Sequence, residues 1–309
     1  MSVAFVFPGQ GSQKVGMGKA LADAFPEARA VFAQADEALG FPLSRLCFEG
    51  PEAELQLTAN TQPAILATSV AVYGVLQARG VRPDWVAGHS LGEYSALVAA
   101  RAMDLRDAVV AVRRRGQYMQ EAVPAGEGAM AAILNLDDEL VVAACAEAGG
   151  TVQAVNFNAP GQVVIAGEKQ AVERAIEKCK ARGAKRALPL PVSAPFHSTL
   201  MEPAAERLKT HIRGLHLARP QFAVLNNVDV AIEHEPARIK DALVRQAASP
   251  VRWVETIRRM LEMGATHIVE CGPGRVLGGM TRRIAPEVQS LTLHDRASLE
   301  AAVQAVTAR

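Results

Sequence analysis

The sequence predicts an α/β fold: a large core on a mostly parallel sheet, with a smaller βαββαβ unit inserted into it. Three observations carry this expectation. Short apolar runs alternate with helical patterns in the first part of the chain, the arrangement that feeds a parallel sheet. Gly88-His89-Ser90-Leu91-Gly92 joins the strand-like Trp85-Val86-Ala87 directly to a helix-like stretch from Glu93 to Ala100, the sequence form of a nucleophile elbow. Between Gly128 and Val192 the order becomes strand, helix, strand, strand, helix, strand, which is the ferredoxin-like order.

In chain order, Val3 to Phe7 reads as a buried strand ending in the turn Pro8-Gly9-Gln10-Gly11-Ser12-Gln13. Helical patterns follow around Gly18 to Leu39 and Gln62 to Arg79, then the elbow, then a helix that Asp104 caps at its N-terminus. In the inserted unit, Met130–Leu134, Thr151–Asn156, Gln162–Ala166 and Lys185–Leu190 are the strands, and Asp138–Ala148 and Lys169–Arg182 the helices. The linkers are Pro124-Ala125-Gly126 and Pro189 to Pro195, so residues 126–193 form the small domain and residues 1–125 and 194–309 the large one. The small domain is expected to pack as a lid. A helix after Ser198, a strand near Phe222 to Val228, helices around Ile239–Ala248 and Trp253–Met263, and a short strand His267–Val269 running into Gly272-Pro273-Gly274 complete the large domain.

Composition narrows the function. The 309 residues are 50% hydrophobic, enough for a large core, and 33 basic side chains nearly cancel 32 acidic ones. A net charge of +1 with no long basic run leaves no electrostatic footprint for nucleic acid. The cysteines at 47, 145, 179 and 271 form neither a CxxC pair nor a His-Cys cluster, which argues against a zinc site or redox dithiol and for free thiols in a reducing compartment. Val3 to Phe7 is too short for the apolar region of a signal peptide, so a cytoplasmic protein is expected. Leu55 to Ala78 carries no charge, but Asn60, Thr61, Gln62, Thr68 and Ser69 interrupt it. A helix buried on all sides fits better than a membrane span.

The elbow would hold the Ser90 oxygen on a strained turn at a helix N-terminus, where backbone N–H groups can stabilise an oxyanion. A serine hydroxyl needs a base. Of the seven histidines, His197 is the best placed, in the strand-to-helix loop Ser193-Ala194-Pro195-Phe196-His197-Ser198. His89 adjoins the serine but would point elsewhere on the strained turn, His211, His216, His234 and His267 lie in ordinary helix or strand contexts, and His294 is near the C-terminus. A histidine of ordinary pKa would make activity rise through about pH 6 to 7. On the helix from Leu105, the apolar stripe Leu105, Ala108, Val109, Val112, Gly116 and Met119 puts Arg114 on the opposite side, in water. Arg113 and Arg115 flank the stripe, and either can set a guanidinium at a pocket edge, where its planar fork suits a carboxylate. Gly11 to Gly16 has Walker spacing, but Met17-Gly18 stands where Lys and Ser/Thr are needed, and Leu277 replaces the third glycine after Gly272-Pro273-Gly274. Nucleoside triphosphate and nicotinamide binding are excluded.

Phe7-Pro8-Gly9-Gln10-Gly11-Ser12-Gln13, Asn60-Thr61-Gln62-Pro63-Ala64, Gly88-His89-Ser90-Leu91-Gly92-Glu93, Arg115-Gly116, Asn156-Phe157-Asn158-Ala159-Pro160-Gly161-Gln162, Pro195-Phe196-His197 and Ser249-Pro250-Val251-Arg252-Trp253 stand in this order along nearly the whole chain. Together they resemble the malonyl-CoA:acyl carrier protein transacylases of fatty acid synthesis and the related acyltransferase domains of polyketide synthases. The resemblance implies a hydrolase-like α/β core, Ser90 as nucleophile, His197 as general base, and the backbone N–H groups of Gln10 and Leu91 as the oxyanion hole. It implies that Arg115 grips the malonyl carboxylate, that Gln62 and Phe196 contribute to substrate binding, and that a backbone carbonyl near Gln246 orients the histidine. It further implies malonyl-CoA and holo acyl carrier protein as partners, no metal or organic cofactor, no membrane, and a monomer. The bulk of Phe196 would crowd a branched methylmalonyl unit. It also raises the alternative of a trans-acting polyketide synthase acyltransferase. A serine thioesterase or esterase would use the same elbow but release its acyl group to water.

Overall fold

The computed structural model describes residues 2–192, 194–293 and 295–307; Ser193 of the loop before His197, His294 and the end of the small domain's expected range at 193 therefore lie outside the described residues. The strands are β1 (Val3–Phe7), β2 (Trp85–Gly88), β3 (Gly128–Leu134), β4 (Val152–Ala159), β5 (Gln162–Glu168), β6 (Arg186–Pro189), β7 (Ala223–Leu225), β8 (His267–Cys271) and β9 (Gln289–Leu293). β1 is apolar throughout because it is the middle strand of a five-stranded sheet ordered β7-β2-β1-β8-β9, and every one of its residues is buried. All pairs in that sheet are parallel. The register sets Phe7 beside Gly88 and Val6 beside Glu270. The carboxyl ends of β1, β2 and β8 therefore open onto one edge, the usual place for a site in an open α/β sheet.

The helix Thr58–Ala78 packs against the helices Pro26–Leu39 and Leu105–Glu121 and is buried on nearly every side. Its polar residues are absorbed locally: the Thr68 hydroxyl donates to the Ala64 carbonyl at 2.9 Å and that of Thr61 to the Leu55 carbonyl at 2.5 Å. Among the described residues no helix is long and apolar enough to cross a membrane. The helix Leu105–Glu121 starts where the Asp104 carboxylate accepts from the Arg106 N–H at 2.8 Å, a side-chain N-cap.

The second sheet is antiparallel and ordered β4-β5-β3-β6, the ferredoxin-like arrangement. It has its own apolar core with the helices Asp138–Ala148 and Lys169–Ala181. Backbone bonds from the Val251 N–H to the Val155 carbonyl (2.8 Å) and from the Phe157 N–H to the Val251 carbonyl (3.0 Å) fasten β4 to the larger unit. Two features differ from the sequence reading. The strand expected at Phe222 to Val228 is only Ala223–Leu225, because the chain turns away at Asn226 and Asn227. β9, which pairs with β8 at the edge, and the helices Val276–Ile284 and Arg296–Thr307 extend the fold past Gly274.

Candidate active site

Ser90 has φ 53°, a left-handed backbone unusual for a residue with a Cβ. Its flanking glycines explain how the turn closes. A Cβ on Gly88 would lie 1.8 Å from the Gly92 carbonyl carbon, and one on Gly92 would lie 2.0 Å from the Phe7 carbonyl oxygen. Without side chains there, β1, β2 and the helix Gly92–Ala99 meet closely, and Ser90 lines a cavity of about 670 Å³. The large unit lines it with Gln10, His89, Ser90, Arg115 and His197, and the small sheet with Met130, Ala132, Asn158 and Val164. That volume suits a small-molecule group.

Ser90 Oγ is 2.6 Å from His197 Nε2, and His197 Nδ1 is 2.9 Å from the Gln246 carbonyl oxygen. The carbonyl can only accept, so Nδ1 carries the hydrogen and the Nε2 lone pair faces the serine hydroxyl. Burial, with the nearby Arg115 cation acting in the same direction, pushes the His197 pKa down to about 3. The imidazole is therefore neutral at working pH, which places the activity limb lower than the pH of about 6 to 7 expected for a solvated ring.

Arg115 is 1% exposed. Its Nη1 donates to Gln62 Oε1 at 2.8 Å, and its Nη2 donates to Ser90 Oγ at 3.2 Å and Gln246 Oε1 at 3.0 Å. The other candidate arginine points elsewhere: the Arg113 guanidinium lies 4.2 Å from the centre of the Phe41 ring. Arg114 is exposed and reaches His211 Nδ1 at 3.3 Å. Gln62 Nε2 donates to Gln10 Oε1 at 3.1 Å, which ties the loop after β1 to Arg115. Phe196 is 7% exposed and packs with Met119, Met130 and Val164 along the cavity wall. Gln10 lines the cavity, whereas Leu91, next to Ser90 in the elbow, is fully buried and is not among its lining residues.

What His89 and Glu93 bind was not legible in the sequence. His89, at the elbow, turns its Nε2 to Asn158 Oδ1 at 2.8 Å and its ring edge toward Trp253, tying the small sheet to the turn. Glu93 is buried; its Oε2 accepts from the Asn227 N–H at 3.0 Å and from Gln246 Nε2 at 2.9 Å, and burial raises its carboxyl to about 7. Its place just after Gly92 in the elbow motif was the one signal that pointed to it. No group of three or more His, Cys, Asp or Glu side chains able to hold a metal occurs among the described residues.

A serine hydroxyl bonded to a neutral imidazole, itself oriented by a carbonyl, can attack an acyl carbonyl. A buried cation beside that hydroxyl can hold an anionic acyl group. This is the chemistry of an acyl-transferring enzyme, and comparison with known proteins gives the same class. The acyl transferase domain model matches residues 4–291. A malonyl CoA-acyl carrier protein transacylase of Haemophilus influenzae is 53% identical over 302 residues, covering 96% of this chain and 97% of the relative. The crystal structure of an acyl-carrier-protein S-malonyltransferase from Burkholderia pseudomallei superposes with a TM-score of 0.96 at 55% identity, covering 98% of this chain and 100% of that one. A malonyl-transacylase in complex with its type II PKS acyl-carrier protein superposes with a TM-score of 0.97 at 52% identity, covering 99% and 100%. The chain belongs to the acyl transferase domain family, within the group of malonyl-CoA:acyl carrier protein transacylases.

Proposed function

We propose that this enzyme moves a malonyl group from malonyl-CoA to the phosphopantetheine thiol of holo acyl carrier protein, through a malonyl ester on Ser90, and so supplies fatty acid synthesis. The observation that carries this reading is the buried Arg115 guanidinium, whose Nη2 lies 3.2 Å from Ser90 Oγ. An esterase elbow needs no such cation. An acyl group ending in a carboxylate does.

His197 Nε2 takes the Ser90 proton as Oγ attacks the thioester carbonyl. The backbone N–H groups of Gln10 and Leu91 stabilise the tetrahedral oxyanion, each such donor contributing about 10²–10³ in rate. Collapse breaks the C–S bond, the proton passes from His197 to the CoA sulfur, and malonyl-Ser90 remains. In the second half-reaction the carrier thiol gives its proton to His197 and attacks the ester; collapse releases malonyl-thioester and returns the proton to Ser90 Oγ. CoA leaves before the carrier acts, so the kinetics are ping-pong. Arg115, Gln62 and Phe196 shape the malonyl end, and the Gln246 carbonyl holds the imidazole tautomer. In the same reading residues 126–193 are a domain closing over residues 1–125 and 194–309. The four cysteines are free and buried, in keeping with a reducing cytoplasm.

The discriminating experiment follows CoA release from malonyl-CoA with no thiol acceptor present. One equivalent per enzyme followed by a stall, relieved by holo acyl carrier protein, supports the transferase. Continuous release of free malonate would make the protein a thioesterase.

A further inference from the structure

We infer that Asn227 is a positioning residue for this reaction, clamping the Ser90 elbow in its strained conformation. The inference rests on Ser90 being the nucleophile of the proposed transfer.

Asn227 lies two residues past β7 and has no exposed surface. Both polar atoms of its side chain bind the elbow: Oδ1 accepts from the Ser90 N–H at 2.7 Å, and Nδ2 donates to the Gly88 carbonyl at 2.7 Å. Those two groups flank His89, where the chain leaves β2. A residue with φ 53° gains by relaxing unless its surroundings forbid it. Two short bonds to one buried amide supply that restraint.

The clamp continues beyond Asn227. Its own N–H donates to Glu93 Oε2, and the same oxygen accepts from Gln246 Nε2, which also donates to the Ser90 carbonyl at 2.9 Å. Ser90 is thus held at its N–H by Asn227 and at its C=O by Gln246, and Glu93 ties the two holders together. A trans peptide points its C=O and the following N–H in opposite directions. Fixing the Ser90 carbonyl therefore fixes the direction of the Leu91 N–H, the proposed oxyanion donor. Gln246 also offers its main-chain carbonyl to His197 Nδ1 at 2.9 Å, so the nucleophile, its base and the oxyanion donor share one support.

The test compares the full-length wild type with Asn227→Ala and Asn227→Asp. A fluorophosphonate reports Ser90 Oγ reactivity without any malonyl group, and its rate is measured beside kcat and KM for malonyl transfer and the melting temperature. Asn227→Ala should slow both phosphonylation and kcat by up to about 100-fold, the effect of a misplacement of about 1 Å, with KM for malonyl-CoA unchanged. Asn227→Asp keeps the size and the acceptor for the Ser90 N–H but loses the donor to Gly88; it should fall between, and it carries the test if the alanine variant does not fold. Wild-type phosphonylation rates per folded molecule in the variants, with only a lower melting temperature, would overturn the inference. Absence of wild-type labelling at Ser90 overturns it too, by removing the nucleophile. Slowed labelling in the variants of an enzyme that transfers no malonate leaves the clamp standing and sinks the malonyl reading instead.

Discussion

Replacing Arg115 by alanine should change which acyl group the enzyme accepts more than whether it reacts. The side chain is 1% exposed, so solvent screens its charge little. Removing one partner of a desolvated, hydrogen-bonded ion pair costs roughly 3–5 kcal/mol. At about 1.4 kcal/mol per factor of ten, kcat/KM for malonyl-CoA should fall by roughly two to three and a half orders of magnitude. Acetyl-CoA has no terminal carboxylate, and for it the variant loses only the bond from Nη2 to Ser90 Oγ, worth about 1 kcal/mol and hence a factor of five to ten. The malonyl-to-acetyl ratio should therefore drop by at least about 10-fold. Truncation also leaves Gln62 Oε1 and Gln246 Oε1 without their donor. Water entering from the cavity offsets part of that, so a stability loss of about 2 kcal/mol is expected. Steady-state kinetics with both thioesters, at a temperature where the variant is folded, reads the ratio; Arg114→Ala, on the exposed side of the same helix, is the control. An equal fall for both substrates would refute the reasoning and make Arg115 a support for the fold.

With its pKa near 3, His197 is already unprotonated across the neutral range. Since only the neutral ring can take the Ser90 proton, acylation measured against pH should show its acid limb below about pH 5. Arg115→Ala removes a cation that disfavours imidazolium and should move that limb to higher pH; a wild-type limb at about 6.5 would show an ordinary, solvated histidine. Gly92→Ala drives a Cβ to 2.0 Å from the Phe7 carbonyl oxygen, a backbone atom of the central strand. Thermal unfolding should show a loss of about 1–3 kcal/mol or more together with lost activity, and unchanged stability and turnover would mean that the elbow does not need this approach.

The parts of the molecule legible in its sequence are those governed by local rules. Gly88 and Gly92 announce a close approach, β1 and β2 are short apolar runs, and the alternation in 128–192 names the small sheet. Arg115 and Arg113 could not be told apart, since both flank the same stripe and only their tertiary partners, the Phe41 ring for Arg113 and Gln62, Ser90 and Gln246 for Arg115, separate them. The resemblance, rather than any local pattern, led to Arg115 and to the neighbourhood of Gln246. Asn227 and the Gln246 side chain left no trace because they pair with the elbow across more than a hundred positions of chain, where no period exists to read. β9 was missed for a different reason: as a half-exposed edge strand it alternates Gln289, Ser290 and Thr292 with only Leu291 and Leu293. The depressed His197 pKa is a tertiary effect, since it needs both the burial and the neighbouring guanidinium.

The central claim, that Ser90 carries the malonyl group between two thiols, is tested most directly by intact mass. Wild-type enzyme exposed to malonyl-CoA should gain one malonyl unit, mapped to the peptide containing Ser90, and should lose it when holo acyl carrier protein is added. Ser90→Ala should gain none while melting near the wild-type temperature. Malonate found on the Ser90→Ala protein, or a wild-type adduct that the carrier thiol fails to discharge, would contradict the account.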